Sequence, residues 1–229
     1  MKINIFGSTG IIGTKSLQII NNHFPKFSIN LLCANNNVHK LIKQINLYSP
    51  KFVYLNNESK IKILKKNIFK KIIIFNYKEL LSYLNNSKSD LSILAISGYN
   101  SLNYLAPILK NTSSLGIVSK EAIVSAGHLF KNFNKLHMKN IYPLDSEHFS
   151  IFNFLQNSNQ KSKIQNITLT ASGGPFLGKK YNSLKNVSFK KATIHPKWKM
   201  GYKNSIDSAT LVNKCLEIVE AHYLFNIPF

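Results

Sequence analysis

Apolar residues in the first 145 positions fall into short β-branched runs separated by longer stretches with helical spacing. INIF (3–6), SINLLC (28–33), KFVYL (51–55), KIIIF (71–75), LSILAIS (91–97), SLGIV (114–118) and NIYPL (140–144) predict strands. Between them, TKSLQIINNHF and VHKLIKQINLY carry apolar side chains at the period of an amphipathic helix. Strand and helix in alternation predict an α/β fold with a Rossmann-like, doubly wound parallel sheet. The polar stretch QNSNQKSK (156–163) predicts a loop. After it the pattern predicts a strand, NITLTA (166–171), then a small-residue loop and one long helix, NSIDSATLVNKCLEIVEAHYLF (204–225). The expected organisation is a doubly wound domain over 1–145 and a second, α+β domain over 146–229.

Composition changes this picture little. With 229 residues and 44% hydrophobic content the chain can bury a sizeable core. Its net charge of +21 suggests a polyanion partner, yet every basic residue is Lys and none is Arg. Arg supplies most bidentate phosphate and base recognition, and the Lys are scattered among Asn and Ile as codon drift in an AT-rich genome would scatter them. No nucleic-acid partner is expected. Cys33 and Cys215 lie far apart without CxxC spacing, which fits a reducing compartment. No apolar run reaches the roughly 20 residues of a membrane span, and Gly and Ser interrupt the N-terminal run early. A cytoplasmic protein without membrane attachment is expected.

GSTGIIG (7–13) closes the first strand and opens the first helix. Glycines at this spacing let backbone N–H groups approach a pyrophosphate where the helix dipole favours anions; an ordinary tight turn would also use them. At the end of the second strand an NAD enzyme usually places an acid for the ribose hydroxyl. Here stand Asn35, Asn36 and Asn37, then His39 and Lys40, which favours NADPH.

The second candidate centre is DSEH. Alternate residues of an extended segment share a face, so Asp145 and Glu147 can point at one divalent cation. The bland reading is a solvated strand end in which Asp145 or Ser146 caps the helix EHFSIFNFLQ. In the predicted terminal helix, Thr210, Asn213, Lys214, Glu217 and Glu220 fall within one third of the surface, with Leu211, Val212, Cys215, Leu216, Ile218 and Val219 opposite. Such a stripe is usually a wet face. Glu217 could also add a third metal oxygen, and Lys214 with Asn213 could hold an anion. TASGGPF (170–176) offers N–H groups and a Ser hydroxyl to phosphate, HPKWKMG (195–201) reads as a lid, and Lys120 and Glu121 follow a strand where open α/β sheets bind ligands.

Taken in order, GSTGIIG, SKEA, PLDSEH, SGGPF, HPKWKMG and DSATLVNKCLE resemble the 1-deoxy-D-xylulose 5-phosphate reductoisomerase family along the whole chain. The resemblance implies NADPH- and metal-dependent conversion of a small phosphorylated sugar in non-mevalonate isoprenoid synthesis. It implies Mg²⁺ or Mn²⁺ on Asp145, Glu147 and Glu217, and substrate on Lys120, Ser146, Glu147, Ser172, His195, Ser208, Asn213, Lys214 and Glu217, with Lys120, Glu147 and His195 catalytic. It implies NADPH on Thr9, Gly10, Ile11, Ile12, Asn35, Asn36, Asn37, Ser119, Glu121 and Gly201, and a flexible loop at Trp198. Ser119 stands where relatives usually have Asn, and Asn35 where they commonly have Gly. Family members are three-part homodimers, so the chain is expected to be a fragment whose second half has an unfinished sheet and an exposed apolar face. Two alternatives are a semialdehyde-type dehydrogenase, which neither cysteine suits, and a non-catalytic nucleotide-binding fragment.

Overall fold

The computed structural model of the chain describes residues 1–68, 70–137, 141–157, 164–196 and 201–228. Trp198 and most of the predicted polar loop lie outside them. The chain divides into two units, Met1–Asp145 and Ser146–Phe229.

In the first unit seven strands form one parallel sheet: β1 (Lys2–Phe6), β2 (Ser28–Ala34), β3 (Phe52–Leu55), β4 (Ile73–Phe75), β5 (Ser89–Leu94), β6 (Thr112–Ile117) and β7 (Ile141–Pro143). Their order is β4-β3-β2-β1-β5-β6-β7. A parallel sheet covered on both faces needs side chains that tolerate burial on either side, and Ile3, Ile5, Leu31, Leu32, Val53 and Leu94 are fully buried. Each such side chain contributes about 1.5–3 kcal/mol relative to exposure. Helices α1 (Ile11–His23), α2 (Val38–Tyr48), α3 (Ile61–Lys66), α4 (Tyr77–Asn86), α5 (Leu102–Asn111) and α6 (Lys120–His137) make the crossovers. The order reverses at β1, whose neighbours are β2 and β5, so the crevice of the doubly wound sheet opens beyond the carboxyl ends of β1 and β5.

Among the described residues of the second unit the α-helices are α7 (Ser146–Asn157), α8 (Phe189–Ala192), α9 (Tyr202–Ala209) and α10 (Val212–Phe225), with α7 packed on α10. Two expectations fail here. Residues 166–171 form no strand, because the Ile167 and Leu169 alternation has no partner strand among the described residues of this unit, and a ladder needs one. The single helix over 204–225 is also broken. Leu211 adopts a left-handed conformation at φ 61°, ending α9 and starting α10. Just before it the Thr210 hydroxyl donates to the Ile206 carbonyl at 3.0 Å, a local bond that competes with helix continuation.

Candidate functional site

Two clusters of candidate residues are built separately, one in each unit. In the first unit Gly7 ends β1 with φ 77°, and a Cβ there would stand 2.4 Å from the Ala95 carbonyl oxygen just past β5. Only glycine lets the two strand ends close in this way. The Gly7 and Ser8 amides both donate to the Cys33 carbonyl at 2.9 Å, fixing the turn on β2. Gly10 is the N-cap of α1 and offers no side-chain cap, while Ile11 and Ile12 are exposed. The first N–H groups of α1 therefore face outward without a side-chain acceptor, an arrangement suited to an anion. Buried Gln44 of α2 donates to the Ser8 carbonyl at 2.7 Å and braces the turn from behind.

Asn35, Asn36 and Asn37 form the exposed turn between β2 and α2. Across the first unit, buried Ser119 caps α6, accepting the Ala122 amide at 3.2 Å. Its hydroxyl lies 3.0 Å from the Gly98 carbonyl and 3.1 Å from the Glu121 carboxylate. Lys120 pairs with Asp145 at 2.7 Å, both largely buried.

In the second unit the carboxylates of α7 and α10 converge on one ammonium. Lys214 Nζ donates to Glu147 at 2.7 Å and to Glu217 at 2.5 Å, while Asn213 Nδ2 donates to the other Glu217 oxygen at 2.5 Å. The Ser146 hydroxyl donates to Glu147. Burial alone would lower the Lys214 pKa, but the hydrogen bonds to Glu147 and Glu217 outweigh it and raise it from the usual lysine value. Glu217 and Glu220 are buried, whereas Leu211, Val212 and Ile218 are exposed. The polar stripe of α10 is thus its inward face.

His148 explains how that face is tolerated. Its ring is fully buried, Nε2 lies 3.0 Å from the Glu217 carbonyl oxygen, and Nδ1 lies 3.1 Å from the Glu220 carboxylate. The residue after Glu147 therefore grips the backbone of Glu217 and sets the register of α7 against α10.

The SGGPF loop turns on Gly173 and Gly174, at φ 81° and 66°, and a Cβ on Gly174 would meet the Ser208 carbonyl oxygen at 2.8 Å. The loop is seated on the end of α9, and Ser172 Oγ lies 2.9 Å from His195 Nε2. Gly201 N-caps α9 in open space.

His148, Gln44, Asn56, Asn57 and Lys60 were not singled out in the sequence, and Glu220 stood on the predicted polar stripe without a role. His148 lay within a quoted segment, as the last residue of DSEH.

Sheet order and the glycine turn define a Rossmann-like α/β protein. Comparisons narrow the class. A family model for 1-deoxy-D-xylulose 5-phosphate reductoisomerase matches residues 3–127, and a model for that enzyme's C-terminal domain matches 141–225. The chain belongs to the 1-deoxy-D-xylulose 5-phosphate reductoisomerase family. It is 41% identical to the reductoisomerase of Pelagibacter ubique (strain HTCC1062), covering 100% of this chain and 59% of the relative. The Sulfurihydrogenibium sp. (strain YO3AOP1) relative is 40% identical over 100% of this chain and 58% of its own. A crystal structure of DOX-P reductoisomerase in complex with NADPH, fosmidomycin and magnesium superposes with a TM-score of 0.86 at 32% identity, covering 99% of this chain and 59% of that one. The Zymomonas mobilis enzyme in complex with NADPH gives 0.84 at 30% identity, covering 99% and 58%. The chain spans a little under three fifths of these relatives. Among the described residues no helix is long and apolar enough to cross a membrane.

Proposed function

We propose that this chain carries the cofactor and metal-substrate machinery of a reductoisomerase that converts 1-deoxy-D-xylulose 5-phosphate to 2-C-methyl-D-erythritol 4-phosphate. The observation that carries the reading is the convergence of Glu147 and buried Glu217 on Lys214. Two acids held this close need a cation, and Lys214 supplies one. The donor set fits a hard divalent ion, since carboxylate oxygens are what Mg²⁺ and Mn²⁺ prefer. Asp145, Glu147 and Glu217 would hold the ion, whose chemistry there is Lewis-acid polarisation of substrate oxygens. Lys214, relieved of balancing both acids, can turn with Asn213, Ser172 and Ser208 to the substrate phosphate. Ser146 orients the Glu147 carboxylate, and His195 holds the Ser172 hydroxyl in place. Lys120 brings positive charge to the reacting oxygens.

NADPH, the hydride source, is assigned to Thr9, Gly10, Ile11 and Ile12 at the head of α1. Asn35, Asn36 and Asn37 take its adenosine end, with Ser119, Glu121 and Gly201 as further contacts. The domains are assigned as 1–145 for cofactor and 146–229 for catalysis. The assembly is assigned as a cytoplasmic homodimer. The test is NADPH oxidation with 1-deoxy-D-xylulose 5-phosphate, with and without Mg²⁺. Mg²⁺-dependent oxidation is expected. Tight NADPH binding without oxidation at any Mg²⁺ concentration would leave only a nucleotide-binding fragment.

A further inference from the structure

The exposed turn after β2 has spent its side-chain acceptors internally. Asn35 Oδ1 accepts from Asn56 Nδ2 at 2.9 Å, Asn36 Oδ1 from Asn57 Nδ2 at 2.8 Å, and Asn37 Oδ1 from the Lys40 amide at 3.0 Å. The orientations of these amides follow from the network. Asn57 Oδ1 accepts the Ser59 backbone amide at 3.1 Å and the Ser59 hydroxyl at 2.6 Å, so its nitrogen must be the edge that faces Asn36. Buried Tyr54 donates to Asn56 Oδ1 at 2.8 Å, leaving the Asn56 nitrogen for Asn35. The Lys40 amide can only donate, which fixes Asn37.

What the turn presents outward is therefore donor-rich: the Nδ2 groups of three exposed asparagines. Beside them Lys60, arriving from the turn after β3, has Nζ 3.1 Å from the Asn36 carbonyl oxygen. Glu58, exposed on that same turn, works against an anion; the Lys60 ammonium lies directly on Asn36. A ribose hydroxyl is best met by an acceptor, whereas a phosphate monoester only accepts and carries charge.

We infer that Lys60, with Asn36 held acceptor-inward by Asn57, selects a 2′-phosphorylated adenosine ribose over an unphosphorylated one. The inference rests on the NADPH assignment above and adds Lys60 and Asn57, which lie outside that contact set. Lys60 is a specificity determinant that need not touch the reacting end of the cofactor.

The test measures dissociation constants of the intact chain for NADPH and NADH by nucleotide fluorescence. Wild type is expected to prefer NADPH at least tenfold, about 1.4 kcal/mol. Lys60→Gln should cut that preference to about threefold or less through weaker NADPH binding alone. Asn57→Asp keeps an acceptor for the Ser59 amide but offers none of its own N–H to Asn36. The Asn36 amide should then turn over, and NADH should gain relative to NADPH. A wild type without preference would bring down the cofactor assignment itself. A wild-type preference that survives in Lys60→Gln, or equal weakening of both nucleotides, would overturn the role of Lys60 and leave that assignment standing.

Discussion

Gly13 sits in the first turn of α1, where a Cβ would lie 2.4 Å from the Gly7 carbonyl oxygen and 2.7 Å from Ser8 Cα. Both are backbone atoms, so no rotamer change relieves the clash. Reaching ordinary contact requires α1 to retreat from the turn by about 1 Å. Overpacking of this kind costs about 1–3 kcal/mol, and alanine's better helix propensity returns up to about 1 kcal/mol. Gly13→Ala should therefore destabilise the first unit by about 1–2 kcal/mol in urea unfolding followed by circular dichroism. It should also weaken NADPH at least tenfold, because the helix N-terminus moves while the turn stays on Cys33. Gly10→Ala is the graded comparison: its Cβ would meet Gly7 O at 3.2 Å, so its stability cost should be smaller. A Gly13→Ala protein with an unchanged unfolding midpoint and an unchanged NADPH dissociation constant would refute the reasoning, as would a larger stability cost for Gly10→Ala.

Further outcomes follow from the same geometry. Glu147→Gln should abolish Mn²⁺ binding, seen by the loss of the bound-ion electron resonance signal, and leave less than a tenth of Mg²⁺-dependent turnover with NADPH affinity intact; retained Mn²⁺ binding would remove Glu147 from the ligand set. His148→Leu leaves the Glu220 carboxylate buried without its partner ring and should destabilise the second unit by about 3–5 kcal/mol. His148→Leu with Glu220→Leu should recover part of that loss, and strictly additive costs would show that the two side chains do not act as a pair. Burial raises the Cys33 thiol well above its ordinary pKa, while Cys215 is exposed. Native protein should therefore consume one equivalent of a maleimide promptly, at Cys215 by peptide mapping, and fast labelling of Cys33 would contradict its burial.

The first unit was legible because parallel strands buried on both faces leave long apolar runs that no helix period explains. The order of those strands was not, since nothing local in INIF says that it will lie between β2 and β5. The glycine turn could be read as a turn, but the reason Gly7 must be glycine lies across the sheet at Ala95. In α10 the period revealed the polar stripe and not its direction. Acids usually face water, and only the fold brings Glu147 onto Lys214 and His148 onto Glu220 and the Glu217 carbonyl. The break at Leu211 left no mark because SATLVN contains neither Gly nor Pro. The expected strand at 166–171 shows the converse error, a local alternation without a neighbour to pair with.

The central position of β1 has a consequence for synthesis. Its first neighbour, β2, is complete at Ala34, but its second, β5, is complete only at Leu94. At about 5–20 residues per second, the intervening sixty residues take about 3–12 s to emerge. For that interval the nascent half-sheet presents one open edge of β1, a row of unpaired amides and carbonyls flanked by Ile3 and Ile5, to whatever other chains are nearby. Pausing of the ribosome between codons 35 and 94 would prolong that exposure, so the yield of folded chains should be more sensitive to translation speed there than after codon 94.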